Sequence, residues 1–143
     1  VNPTVSVARI LTARGHTVAW MTHPEIVGPV LPPGAEILDA GFVPADARVN
    51  TIESSRRLRG LASIEFLWER VLLPLARVML PRVIEAVDAW RPDVLIADQQ
   101  ALAGAIAGRL TGVPWVTSCT TPSWGLVDPF EQLPKVKAWI DDQ

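Results

Sequence analysis

Arg91-Pro92-Asp93-Val94-Leu95-Ile96-Ala97-Asp98-Gln99-Gln100-Ala101-Leu102-Ala103-Gly104 is the stretch that decides the fold. It opens on a helix stop, because the residue before a proline is pushed out of the helical region. Val94-Leu95-Ile96-Ala97 is apolar at every position, the pattern of a strand covered on both faces of its sheet. A helix follows over 101–110, with Leu102, Ile106 and Leu110 on one stripe. Gly104 and Gly108 weaken a solvent-exposed helix. Beside Ala103, Ala105 and Ala107 they give a smooth face that can lie close to a sheet. Thr111-Gly112 ends the helix, and Val113-Pro114-Trp115-Val116-Thr117-Ser118 reads as the next strand.

The same alternation runs upstream. Leu61 to Trp90 is helical in pattern, with Leu61, Ile64, Trp68, Val71 and Leu75 on one stripe and Leu80, Ile84 and Val87 on a second. Pro74 and Pro81 predict two or three helical pieces with bends, since each lacks a donor and crowds the turn before it. Earlier still, Asn2 is a good N-cap, Pro3 a good first helical residue and Gly15 a good stop. Thr17 to Thr22 and Glu36 to Asp39 read as strands, with a short helical stretch after Pro24 broken by Pro32-Pro33-Gly34. Residues 40–60 and Thr120 to Pro134 read as loops, and 135–141 as a frayed helix. A helix cap at the very start has no preceding strand to anchor it, so residue 1 reads as an internal position of a longer protein.

Repeated β–α alternation argues for an α/β domain with a parallel sheet. In such sheets ligands bind outside the carboxyl ends of the strands. That rim holds His23 with Pro24, Asp39 to Phe42, Asp98 to Gln100, and Cys119 to Ser123. His16 falls on the opposite rim.

Composition narrows the functional classes. With 143 residues, 49% of them hydrophobic, the chain can build one real core, and a mean hydropathy of +0.25 excludes a disordered segment. A net charge of −2 without a basic stripe argues against nucleic acid as a partner; Arg56-Arg57-Leu58-Arg59 reads as a solvated loop edge. No apolar run reaches the ~20 residues of a bilayer span. Cys119 is the single cysteine, so a reducing, cytoplasmic setting is the default, and its place after an apolar strand suggests a small core residue.

Two blocks carry a family resemblance. Val1-Asn2-Pro3-Thr4 with Ala13-Arg14-Gly15-His16-Thr17-Val18 resembles the start of the natural-product branch of the family 1 glycosyltransferases, which includes macrolide and enediyne enzymes. Arg91 to Gly104, with Gly112-Val113-Pro114-Trp115 after it, resembles a later strand–helix–strand of the same N-terminal domain. The resemblance covers most of 1–123. It implies the N-terminal half of a GT-B fold: a Rossmann-like parallel sheet with helices on both faces, its first strand missing. It also implies that 1–143 is a partial acceptor-binding domain without its nucleotide-sugar-binding partner domain, truncated at both ends and inactive alone.

Chemistry follows from the resemblance as well. The family inverts the anomeric centre: a histidine deprotonates an acceptor hydroxyl, which displaces the nucleoside diphosphate of a UDP- or TDP-sugar, and a later aspartate orients the histidine. Asp98 matches that aspartate. The matching histidine would stand immediately before Val1. The acceptor would be an apolar hydroxylated natural product, as in antibiotic biosynthesis, with His23, Gln99, Thr120, Thr121 and Ser123 as acceptor-binding candidates and no cofactor or metal. Each assignment has a plainer alternative: Asp98 as N-cap of the following helix, His23 as a turn residue before Pro24, Thr120, Thr121 and Ser123 as ordinary turn chemistry, and Phe66 and Trp68 as core rather than acceptor wall. For the whole chain, the alternative is a non-catalytic α/β small-molecule-binding or interaction domain.

Overall fold

The computed structural model describes residues 3–41, 56, 58–119 and 134–142. The elements are α1 (Pro3–Ala13), β1 (Ala19–Thr22), α2 (Pro24–Val27) running into a 3-10 turn (Gly28–Val30), β2 (Glu36–Asp39), α3 (Leu61–Phe66), a π-helical stretch (Leu67–Leu72), α4 (Leu73–Trp90), β3 (Leu95–Asp98), α5 (Leu102–Thr111), β4 (Trp115–Ser118) and α6 (Pro134–Asp141). The alternation expected from the sequence is there. Most of the 40–60 segment and Thr120 to Leu133 lie outside the described residues.

Local rules account for the boundaries. α1 stops in a Schellman arrangement: Gly15 takes φ 86, its N–H donates to Thr12 O at 2.9 Å, and His16 N–H donates to Leu11 O at 3.1 Å. The helical run from Leu61 to Trp90 is three contiguous pieces. Pro74 crowds the carbonyl four residues before it, and the preceding turn widens to π register, with Leu73 N–H donating to Trp68 O. Pro81, by contrast, sits inside α4 without ending it. Arg91 closes α4 in the left-handed region at φ 53, so the chain leaves the helix by a sharp turn rather than an extended residue.

Both strand pairs are parallel. β1 pairs with β2 in the register Ala19↔Glu36 to Thr22↔Asp39, and β3 with β4 in the register Leu95↔Trp115 to Asp98↔Ser118. Among the described residues they form two separate two-stranded sheets, with β1 and β3 not hydrogen-bonded to each other. α4 lies along the first pair and points down it: Val78 Cγ1 is 3.3 Å from where a Cβ on Gly41 would stand, while Trp90 Nε1 donates to Glu36 Oε1 at 3.0 Å at the other end. The short link from Trp90 to Leu95 therefore starts β3 at the same end as β2. All four carboxyl ends gather on one rim.

The core joins the two sheets through the helices. Val83 and Val87 of α4 meet Ala103 and Ala107 of α5, with Met21 from β1 and Leu95 from β3 packed against them. Ala103 and Ala107 are 0% exposed. A Cβ on Gly104 would stand 2.7 Å from Ala97 Cβ, and one on Gly108 would stand 3.0 Å from Trp115 Cε3, so α5 approaches the sheet as closely as its small residues allow.

The smooth Gly/Ala face of α5 is the one that lies on the sheet, as expected, and Ile106 and Leu110 face outward, because a helix this close to a sheet has no room for branched side chains beneath it. Two expectations are corrected. β3 is not covered on both faces: Ala97 is buried beneath Gly104 while Ile96 on the other face is 49% exposed. Cys119 is exposed rather than a core residue, since β4 itself is open over Trp115, Val116 and Thr117.

A candidate acceptor rim built on paired aspartate turns

β2 and β3 end alike. Asp39 Oδ1 accepts the Gly41 N–H at 3.0 Å, and Asp98 Oδ1 accepts the Gln100 N–H at 2.8 Å. Each aspartate folds back on the backbone two residues on, which turns the chain out of the sheet at the rim. Asp98 is not the N-cap of α5. Ala101 holds that position, without a side-chain cap, and Asp98 contributes its backbone carbonyl to Ala101 N–H at 2.9 Å.

The two turns differ in setting. Asp39 is exposed and Asp98 half-buried. Gln99 lies beside it, half-buried, its N–H bound to Ser118 O at 3.1 Å so that β3 and β4 stay paired to their last residues. Asp98 and Gln99 thus hang from the end of a strand fixed by α5 on one face.

His23 stands at the end of β1 on the same rim. It occupies the N-cap of α2 with its side chain out of the cap; its backbone carbonyl accepts the Ile26 and Val27 N–H groups at 3.1 and 3.0 Å. Both ring nitrogens are shut off from solvent. That backbone geometry fits the turn-residue reading. Thr120, Thr121 and Ser123 lie outside the described residues. Trp68 is exposed, as are Leu67 next to it and Leu73 five residues on; it is not a core residue.

The sequence reading missed the likeness of the two turns. Its signal was present: Ile37-Leu38-Asp39 and Ile96-Ala97-Asp98 each end an apolar strand on an aspartate two residues before a backbone N–H that needs an acceptor. Among the described residues, no group of three or more His, Cys, Asp or Glu side chains could hold a metal ion. No described helix is long and apolar enough to cross a membrane.

The model of the glycosyl transferase 4-like domain matches residues 3–143. The chain belongs to the glycosyl transferase 4-like family. Two relatives of this glycosyl transferase 4-like chain agree with that placement. An L-demethylnoviosyl transferase from Streptomyces niveus is 44% identical over 50 residues, which are 35% of this chain and 12% of that protein. A crystal structure of the glycotransferase of kitacinnamycin superposes with a TM-score of 0.64 at 24% identity, covering 99% of this chain and 31% of that one. The latter shows the fold. The expected kinship with natural-product GT-B glycosyltransferases is borne out, as is the α/β class with parallel strands. The chain spans under a third of the solved relative's length.

Proposed function

We propose that the protein to which these residues belong transfers a sugar from a nucleoside diphosphate sugar to a hydroxyl of an apolar natural-product acceptor, with inversion at the anomeric carbon, in the cytoplasm. Family membership supports sugar transfer in general, and the similarity to a demethylnoviosyl transferase fits that reading. The observation that carries the site assignment is Asp98: a half-buried carboxylate at the carboxyl end of β3, with its backbone fixed by α5 and β4.

The chemistry needs a base and a group to orient it. A neutral imidazole takes the acceptor proton as the hydroxyl oxygen attacks; the bond from anomeric carbon to diphosphate breaks, and the diphosphate leaves with the electron pair. A carboxylate on the other imidazole nitrogen fixes the tautomer and stabilises the imidazolium that forms. Asp98 is the carboxylate in this scheme, and the histidine comes from the residue preceding Val1. Gln99, Thr120, Thr121 and Ser123 line the acceptor side, and His23 supports the rim through its turn. 1–143 supplies the acceptor half; the nucleotide is held mainly by a separate C-terminal domain.

The test is to incubate the full-length protein with UDP- and TDP-sugars and a panel of phenolic and macrolide acceptors. Product mass and the coupling constant of the new anomeric proton are read together. A new glycoside of inverted configuration is expected. A retained configuration would contradict inversion, and binding of acceptor without transfer from any donor would contradict the proposal and favour the non-catalytic binding domain.

A further inference from the structure

We infer that the π-helical stretch Leu67–Leu72 carries an apolar platform over the carboxyl rim, on which Trp68 and Leu73 hold a flat aromatic ring of the acceptor, and that Pro74 is the residue that positions the pair. The inference rests on the proposed transfer to an apolar acceptor and adds the chemical class of the ring.

Burial along the helical run shows where its support ends. Val87, Val83, Ala76 and Leu72 are buried in turn, the stripe of a helix lying on a core. The next turn breaks that stripe: Leu67, Trp68, Glu69 and Arg70 are all exposed. The direction of α4 explains the break. Trp90 bonds Glu36 at the start of β2, and Val78 lies against Gly41 just past the end of the same strand. The chain before Val78 therefore runs out beyond the carboxyl rim, and Trp68 precedes Val78 by roughly 15 Å of helix. Ligands of parallel sheets bind outside that rim.

Register decides what the overhanging turn presents. Trp68 stands one turn before buried Leu72, within about 40° of its direction, so it points over the rim rather than away from it. In an α-helix, Trp68 and Leu73 would stand about 140° apart. Here Leu73 N–H donates to Trp68 O across a wider turn, which brings the two toward one side. They are 38% and 42% exposed. Pro74 is the local cause, because it has no N–H and crowds the carbonyl one turn back. Such π turns recur at functional sites. Glu69 and Arg70 on the same turn are opposite charges, so no net charge draws an ionic ligand there. An indole offers a flat π surface that favours another aromatic ring, offset or edge-on, and Leu73 beside it excludes water without offering a hydrogen bond.

The experiment reads binding rather than turnover, so that failure of sugar transfer and failure of the platform are told apart. Full-length protein is titrated by calorimetry, without donor, with 2-naphthol and with decahydro-2-naphthol, the saturated counterpart of the same carbon skeleton. The parent is expected to bind 2-naphthol roughly fivefold more tightly, as an aromatic pair contributes beyond its buried area. Trp68→Ala should lose that preference, and Trp68→Phe should keep most of it. Pro74→Ala lets the turn close to α register and parts Trp68 from Leu73; it should lose the preference too, with the fold intact by circular dichroism. No preference in the parent would overturn the inference. So would a preference kept in Trp68→Ala or in folded Pro74→Ala, or one lost equally in Trp68→Phe and Trp68→Ala.

Discussion

At the scale of single residues, Asp39 and Asp98 form a natural control pair. Each accepts a backbone N–H two residues on, at 3.0 and 2.8 Å. The turn needs an acceptor oxygen and not a charge, and an asparagine side chain provides one in the same place. Asp39→Ala and Asp98→Ala should each lower stability by about 1 kcal/mol, the usual worth of such a bond, while the two Asn variants should stay within roughly 0.5 kcal/mol of the parent. Urea unfolding at fixed pH checks this. An Asn variant as damaged as its Ala counterpart would show that the carboxylate charge holds the turn. The pair also shows where motif reading stops: Asp98 stood out because it matched a family block, Asp39 did not, and the backbone gives both the same bond.

At the scale of elements, α5 shows most clearly what the sequence carried and what it concealed. Its glycines and alanines announced a close approach, and Ala97 Cβ and Trp115 Cε3 are the atoms approached. The Leu102–Ile106–Leu110 stripe alone does not decide which face is buried, because hydrophobic periodicity reports an apolar face without saying whether a sheet close by leaves room for it. Gly104→Ala separates the two influences. In an exposed helix the change would stabilise by up to about 1 kcal/mol. Here the new Cβ falls 2.7 Å from Ala97 Cβ, so a net loss of about 1–3 kcal/mol is expected. Adding Ala97→Gly removes the opposing methyl and should restore part of the loss, a coupling that a denaturant-based double-mutant cycle measures. The π stretch before Pro74 was illegible for a different reason. Proline predicts a disruption, but whether the chain bends or widens one turn depends on what Leu72 and Ala76 bury against, which no local rule contains.

At the scale of the whole molecule, the strand–helix alternation, the parallel pairing and the gathering of four carboxyl ends on one rim all follow from local signals, because β–α–β units leave few ways to connect. What local signals do not set is the division of the described strands into two pairs, or the exposure of Ile96 and Val116. Turnover is also a property at this scale, since it needs donor, acceptor, base and Asp98 brought together. The direct measurement is the turnover of full-length Asp98→Asn at saturating donor and acceptor, with Asp39→Asn beside it. Both variants keep their turns. The account predicts a fall of about a hundredfold or more for Asp98→Asn, because the amide cannot stabilise an imidazolium, and a near-parental rate for Asp39→Asn. Parental turnover in Asp98→Asn, or an equal fall in both, would contradict it and leave Asp98 a turn residue like its twin.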